Sequence, residues 1–150
     1  LALALRGVPL LELDLEGNDA SDRALEGVLQ MAPESLQVLS LGSNSIGERG
    51  AALLGAHLRS LPDGPLRSVH LSNNALGAAA AKPLLDGLRA NRTIADLAVR
   101  GCGLGDDACA AIGACVEANR GEQQRRQRLH TRSLLKAYKH EAAAAAAAAI

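Results

Sequence analysis

Aromatic side chains are almost absent from this chain of 150 residues: Tyr138 is the only one, with no Phe and no Trp. Compact globular cores take much of their volume from rings, each of which buries roughly 150–250 Å². This chain must instead fill its interior with Leu, Val, Ile and Ala. Such side chains suit thin layers that stack at a regular spacing.

Cysteine is also scarce, with Cys102, Cys109 and Cys115 all in one late segment. Their odd number, without a CxxC pair or a nearby His, argues against a disulfide framework and a zinc site. We expect free thiols in a reducing compartment, with Cys102 and Cys109 in the core and Cys115 more exposed. No secretory signal is visible, and the run Ala142–Ala149 is too short and too weakly apolar to cross a bilayer.

Charge is balanced overall but unevenly distributed along the chain. Leu1 to Asn119 carries nine Lys/Arg against fourteen Asp/Glu, whereas Arg120 to Ile150 carries seven against two. The first part is therefore acidic and the tail is basic, so the two regions differ in the partners that they attract.

One sequence pattern occurs four times, with aliphatic residues at its first, fourth and sixth positions. The copies occupy residues 10–20, 36–46, 66–76 and 94–104. The ninth positions are Asn18, Asn44, Asn74 and Cys102, which are 26, 30 and 28 residues apart. The alternating aliphatic residues predict a short half-buried strand. The Asn amide is expected to hydrogen-bond turn backbone that would otherwise be buried without a partner.

A helix is predicted after each strand, because small and aliphatic residues recur there at offsets of one helical face. Glu48 should begin the second helix and Asp106 the fourth, where acidic side chains favour the positive end of the helix dipole. Pro83 falls in the first turns of the third helix, and it costs least at the very start. A single strand–turn–helix–loop unit cannot bury its own apolar face, so the four units must stack.

These motifs resemble the leucine-rich-repeat family, in its ribonuclease-inhibitor-like subclass with repeats of about 28 residues. The resemblance covers roughly Leu10 to Asn119 and implies an α/β solenoid, with a curved parallel strand layer inside and helices outside. The predicted segments are the end of a truncated preceding repeat (1–9), four repeats (10–35, 36–65, 66–93 and 94–119), a basic helical tail or cap (120–141) and a low-complexity alanine segment (142–150). Leu1–Leu5 would be the end of the preceding helix.

The resemblance implies recognition of other proteins, without catalysis, cofactor or metal; we expect no small-molecule substrate, membrane or nucleic acid. Our first hypothesis is an interaction scaffold within a larger cytoplasmic assembly, at the cytoskeleton or a cilium. The alternatives are the sensor or substrate-recognition repeats of a NOD-like receptor, a ubiquitin-ligase adaptor or a bacterial effector. The fold alone does not choose among these functions.

The outward positions of the strands are the candidate partner-binding residues. They are Glu12, Asp14, Glu16, Ser40, His70, Ser72, Asp96 and Arg100. Ser68, His70 and Ser72 would suit a nucleophile and a base if Asp14 or Asp96 approached across the strands. The three carboxylates of the first copy would suit a cation. We expect neither, and interpret both groups as solvated side chains on a strand.

The basic residues of the tail are candidate contacts with an acidic surface. They are Arg125, Arg126, Arg128, Arg132, Lys136 and Lys139. No Pro interrupts the tail, so it can form a helix. Two interpretations stay open: its leucines fold onto the last repeat as a cap, or the tail projects and binds an acidic partner such as tubulin.

Overall fold

The fold is a repeated alternation of short strands and helices. The structure, a computed structural model, describes residues 9–148, except for the side chains of residues 143 and 145–148. The elements are β1 (Glu12–Asp14), α1 (Asp22–Met31), β2 (Val38–Ser40), α2 (Glu48–Ser60), β3 (Ser68–His70), a 3-10 turn (Ala78–Ala80), α3 (Ala81–Ala90), β4 (Asp96–Ala98) and α4 (Asp106–Ala148). The chain divides after Arg120 into two units. The helix end predicted at Leu1–Leu5 lies outside the described residues.

The four strands form one parallel sheet in the order β1-β2-β3-β4. Equivalent positions of the sequence pattern pair with one another, so that Leu13, Leu39, Val69 and Leu97 lie side by side. One face of the sheet is buried because these aliphatic side chains all point the same way. The predicted α/β repeat fold, with a parallel strand layer and a helical layer, is confirmed.

The core of the first unit lies between the strands and the helices and is built from aliphatic side chains. The predicted helix positions Leu54, Leu84 and Ile112 are buried. Cys109 of α4 was predicted in the core, but it is exposed, and so is Ala24, one of the recurring small residues, on α1. Inner helices have a neighbour on each side, whereas α1 and α4 are the first and last helices of residues 9–148. Within residues 9–148, no further repeat packs against the side chains on their outer flanks.

The asparagine ladder is confirmed in the turns that follow the strands. Asn74 is only 4% exposed, and its amide nitrogen donates to the carbonyls of Leu41 and Leu71, each at 2.8 Å. Its amide oxygen accepts the backbone N–H of Ile46 at 2.9 Å. The preceding rung makes equivalent bonds. At the fourth rung the thiol of Cys102 donates to the Leu71 carbonyl at 3.0 Å, so the second, third and fourth rungs each tie one repeat to the previous one.

The residue before each rung has a left-handed backbone, which the sequence pattern did not predict. These residues are Gly17 (φ 68°), Ser43 (φ 53°), Asn73 (φ 59°) and Gly101 (φ 71°). Glycine adopts this conformation at no steric cost, and the short side chain of Asn tolerates it. The same bend therefore ends every strand at the same place and keeps the outward side chains in register.

The third helix accommodates its proline at the start. Pro83 is the third residue of α3. The first N–H groups of a helix have no intrahelical acceptor, so the missing N–H of Pro83 costs little there. The predicted first residues Glu48 of α2 and Asp106 of α4 are also confirmed.

The basic tail is helical, as predicted, because α4 continues to Ala148. Within the second unit, the large apolar side chains are each more than half exposed: Leu129, Leu134, Leu135 and Tyr138. Among the helices of residues 9–148, none combines the length and the apolar character needed to span a bilayer.

We expect the thiols of Cys102 and Cys109 to react at different rates in the folded protein. Cys102 is 2% exposed, and burial raises the pKa of its thiol, whereas Cys109 is exposed. Because the thiolate is the reactive species, iodoacetamide at neutral pH should modify Cys109 well before Cys102. Peptide mass spectrometry over time measures both rates, and modification in urea is the control. Equal rates in the folded protein would contradict this burial.

Candidate functional site

The side of the sheet that points away from the helices carries three aligned rows of side chains, here called the strand face. The first row is Glu12, Val38, Ser68 and Asp96, and the second is Asp14, Ser40, His70 and Ala98. Backbone hydrogen bonds continue the alignment into a third row of Glu16, Gly42, Ser72 and Arg100. All eight candidate residues predicted from the sequence therefore lie on one surface.

Accessibility varies across the strand face. Glu12, Asp14 and Glu16 are exposed, and so is Arg100 at the opposite edge. Ser40 was expected to be accessible to a partner, but it is only 8% exposed. The ring of His70 lies beside it, with Nδ1 at 3.4 Å from the Ser40 hydroxyl. Ser40 is therefore a support for His70 rather than an accessible contact.

On β3 and β4 the strand face carries a hydrogen-bonded cluster of Ser68, His70 and Asp96. Asp96 approaches from the neighbouring strand, and its Oδ2 lies 3.1 Å from Nε2 of His70. The Ser68 hydroxyl donates to the same Oδ2 at 3.0 Å and lies 3.1 Å from the same Nε2. The sequence had suggested Asp14 or Asp96 as the acid, and the structure brings Asp96 to the ring.

This cluster does not have the geometry of a Ser-His-Asp triad. In a triad the acid bonds one ring nitrogen and an accessible serine bonds the other. Here the accessible Ser68 contacts the same Nε2 as Asp96, while Ser40, 3.4 Å from Nδ1, is only 8% exposed and cannot reach a substrate as a nucleophile. Within residues 9–148, the side chains that hydrogen-bond the His70 ring are Ser40, Ser68 and Asp96, and Ser72 is not among them. The side chains of His70 and Asp96 are 43% and 52% exposed, so solvent weakens the attraction between them. The cluster fixes the orientation of His70 and satisfies its own polar groups.

Three carboxylates form the acidic edge of the strand face: Glu12, Asp14 and Glu16. Alternate residues of an extended strand lie about 6.8 Å apart along its axis. Asp14 accepts the backbone N–H of Glu16 at 2.9 Å, and within residues 9–148 no ion pair involves any of the three. No group of three or more His, Cys, Asp or Glu side chains in that range is arranged to hold a metal ion. The acidic edge therefore presents its charges to solvent.

The stacked repeats, the Asn ladder and the parallel sheet define the class to which this chain belongs. The family model described as Leucine Rich repeat matches residues 32–55. Ribonuclease inhibitor of Sus scrofa is 37% identical over 122 residues, which are 78% of this chain but only 26% of that protein. The chain is a leucine-rich-repeat protein of the ribonuclease-inhibitor-like subclass.

Solved structures with the same fold come from a different group of proteins. Leiomodin-1 Actin-Binding Site 2 (ABS2) superposes with a TM-score of 0.75 at 17% identity, covering 88% of this chain and 77% of that one. The tropomodulin C-terminal domain of Caenorhabditis elegans superposes with a TM-score of 0.54 at 14% identity, covering 86% and 96%. At these identities the likeness concerns the fold. The comparisons together support a role in protein interaction.

Proposed function

We propose that this chain is a non-catalytic protein-interaction module of a cytoskeletal assembly, and that the strand face binds the partner. The observation that carries the proposal is the register of the four strands. It gathers residues from all four repeats into one surface while their backbone groups are used in the sheet. Binding therefore depends on side chains, which is how a solenoid offers an extended surface to another protein.

The charges of the strand face describe the partner. The acidic edge (Glu12, Asp14 and Glu16) would attract Lys or Arg side chains, and Arg100 at the other edge would attract a carboxylate. Between them, the cluster around His70 is already hydrogen-bonded within itself. Its polar groups would therefore need few new hydrogen bonds when a partner covers them. The expected partner surface is basic where it meets the acidic edge and carries a carboxylate where it meets Arg100.

An actin filament is the first partner to test. Binding to actin would place the protein in the cytoplasm, at the cytoskeleton. The support is the fold of leiomodin-1 Actin-Binding Site 2, which covers most of this chain. Tubulin, which the basic tail suggested as an acidic partner, is tested alongside actin. Binding to tubulin rather than actin would indicate a ciliary location. Since the chain spans only 26% of ribonuclease inhibitor, the partner of that whole protein is not carried over.

Neutralising the acidic edge should weaken binding about tenfold, at ~0.5 kcal/mol for each of three exposed charge contacts. The variant combines Glu12→Gln, Asp14→Asn and Glu16→Gln, which keep the shape of each side chain. Binding of the full chain to actin filaments is measured by co-sedimentation at several salt concentrations. The loss should shrink as salt rises, because exposed charges are screened.

A matched control removes the same charge elsewhere in the repeats. It combines Glu34→Gln, Glu48→Gln and Asp107→Asn, all exposed and none on the strand face, and it should bind like the unaltered chain. Equal losses for the two variants would show that net charge, and not the strand face, is responsible. Co-sedimentation with microtubules but not with actin would reject actin as the partner.

A further inference from the structure

The tail helix carries most of its positive charge on one side. Arg125, Arg128, Arg132, Lys136 and Lys139 follow one another at intervals of three or four residues. At about 100° per residue they fall within about 80° of arc, over about 21 Å of helix. All five are exposed. They are called the basic stripe.

The basic stripe has no internal neutralisation. Within residues 9–148 no ion pair involves any of its five side chains. The tail's other two arginines lie off the stripe and are paired: Arg120 with Glu117 at 2.6 Å and Arg126 with Glu122 at 3.4 Å. Uncompensated like charges at helical spacing repel one another by a few tenths of a kcal/mol per pair. An anionic partner would relieve this repulsion. The spacing of the charges therefore destabilises the free helix slightly and favours binding of an anionic partner.

Apolar side chains flank the stripe. Leu129 and Leu135 lie about 60° to either side of its centre line, by the same helical geometry. Together with Arg132, Lys136 and Ser133 they line a shallow groove on the helix surface. Both leucines are more than half exposed. The surface therefore combines a line of cations with an apolar border, as in helix pairs that join ionic and apolar contacts.

We propose that the basic stripe binds an acidic, amphipathic helical segment of a partner protein, whose carboxylates face the stripe and whose apolar side chains contact Leu129 and Leu135. This second surface shares no residue with the strand face, and the proposal does not rest on that face. Three of its five cations are arginines, whose planar guanidinium groups bond carboxylates in pairs.

The two other anionic partners fit this surface less well. A phosphate backbone would make ionic contacts but would leave the flanking leucines without an apolar partner. An anionic membrane needs one wide apolar helix face, whereas Leu129 and Leu134 lie about 140° apart around the helix. Both partners nevertheless belong in the test.

The test is fluorescence anisotropy of the full chain with four labelled probes. These are a helical peptide of repeated Leu-Glu-Glu-Ala, polyglutamate, duplex DNA and phosphatidylserine vesicles. The Leu-Glu-Glu-Ala peptide should bind most tightly. Replacing both Leu129 and Leu135 by Ala should weaken its binding several-fold while leaving polyglutamate unaffected, because only the first probe offers apolar side chains.

Two single substitutions separate the stripe from net charge. Arg128→Gln lies on the stripe and should weaken peptide binding up to about fivefold. Arg126→Gln removes the same charge two residues away and should change it less than twofold. Equal losses would show attraction to net charge alone, and tighter binding to DNA or vesicles, or none to the peptide, would overturn the proposal. If the Arg128→Gln chain still binds actin, the strand face binds actin without the basic stripe, and the two proposals can fail separately.

Discussion

Replacing Asn74 by Ala should destabilise the protein by about 3–5 kcal/mol. Its side chain holds the carbonyls of Leu41 and Leu71 and the backbone N–H of Ile46. Each buried polar group that loses its partner costs about 1–3 kcal/mol. Alanine leaves the backbone N–H of Ile46 unpaired, in a place that is 4% exposed. It also removes one of two donors from each of the carbonyls of Leu41 and Leu71, which keep Asn44 and the Cys102 thiol, and each of these two lost bonds adds about 0.5–1.5 kcal/mol. The free energy of unfolding is measured by urea denaturation, followed by circular dichroism at far-ultraviolet wavelengths.

The matched control is Asn18→Ala, on the first rung of the same ladder. Asn18 is exposed, and its amide nitrogen donates to the carbonyl of Glu16 at 2.9 Å. That carbonyl can bond water instead, so the loss should stay below about 1 kcal/mol. If the two substitutions lower the free energy of unfolding equally, burial does not strengthen the contribution of Asn74, and the prediction is wrong.

Replacing Gly87 by Ala should cost about 3 kcal/mol or more, at the upper end of overpacking effects. Helices α2 and α3 approach so closely that a Cβ at Gly87 would lie 2.5 Å from the carbonyl oxygen of Gly55 and 2.7 Å from its Cα. Backbone atoms cannot rotate away as the end of a side chain can. The two helices would have to separate, and the core beneath them would loosen. Urea denaturation again gives the free energy.

Gly113→Ala is the control with the opposite expected sign. Gly113 lies in α4, and a Cβ there would have nothing within 4 Å. Alanine is a better helix former than glycine by about 0.8–1 kcal/mol, so this variant should be more stable than the unaltered chain. A neutral Gly87→Ala variant would mean that the close approach of α2 and α3 does not exist in solution.

The two pairs of variants also bear on function. The rungs and the helix contacts keep successive repeats at a constant spacing, and the strand face exists only while the repeats stay in register. We therefore expect Asn74→Ala and Gly87→Ala to weaken partner binding where they loosen the fold, whereas neutralising the acidic edge should weaken binding with the stability unchanged. Comparing unfolding and co-sedimentation on the same samples separates the two effects.

Much of this architecture could be predicted from the sequence, because the same pattern of aliphatic residues occurs four times and specifies the same local structure each time. Alternating aliphatic residues specify which side of each strand is buried. Since equivalent positions of successive copies stack, the pattern also predicts that Leu39 lies beside Val69, as the sheet shows. The same reasoning places the candidate residues on one face. The composition of the tail was enough to predict its helix. Because its cations are three or four residues apart, helix geometry places them on one side.

The tertiary structure decided what depends on neighbours some 26–30 residues away along the chain. It covers Ser40 with the ring of His70, brings Asp96 to the same ring and leaves Cys109 exposed. It also places Gly55 against Gly87, two positions that do not occupy equivalent places in their repeats. Local periodicity determines which face a residue occupies, because that follows from backbone geometry. Whether the face is covered, and by which atoms, depends on the repeat stacked against it, and no local pattern contains that information.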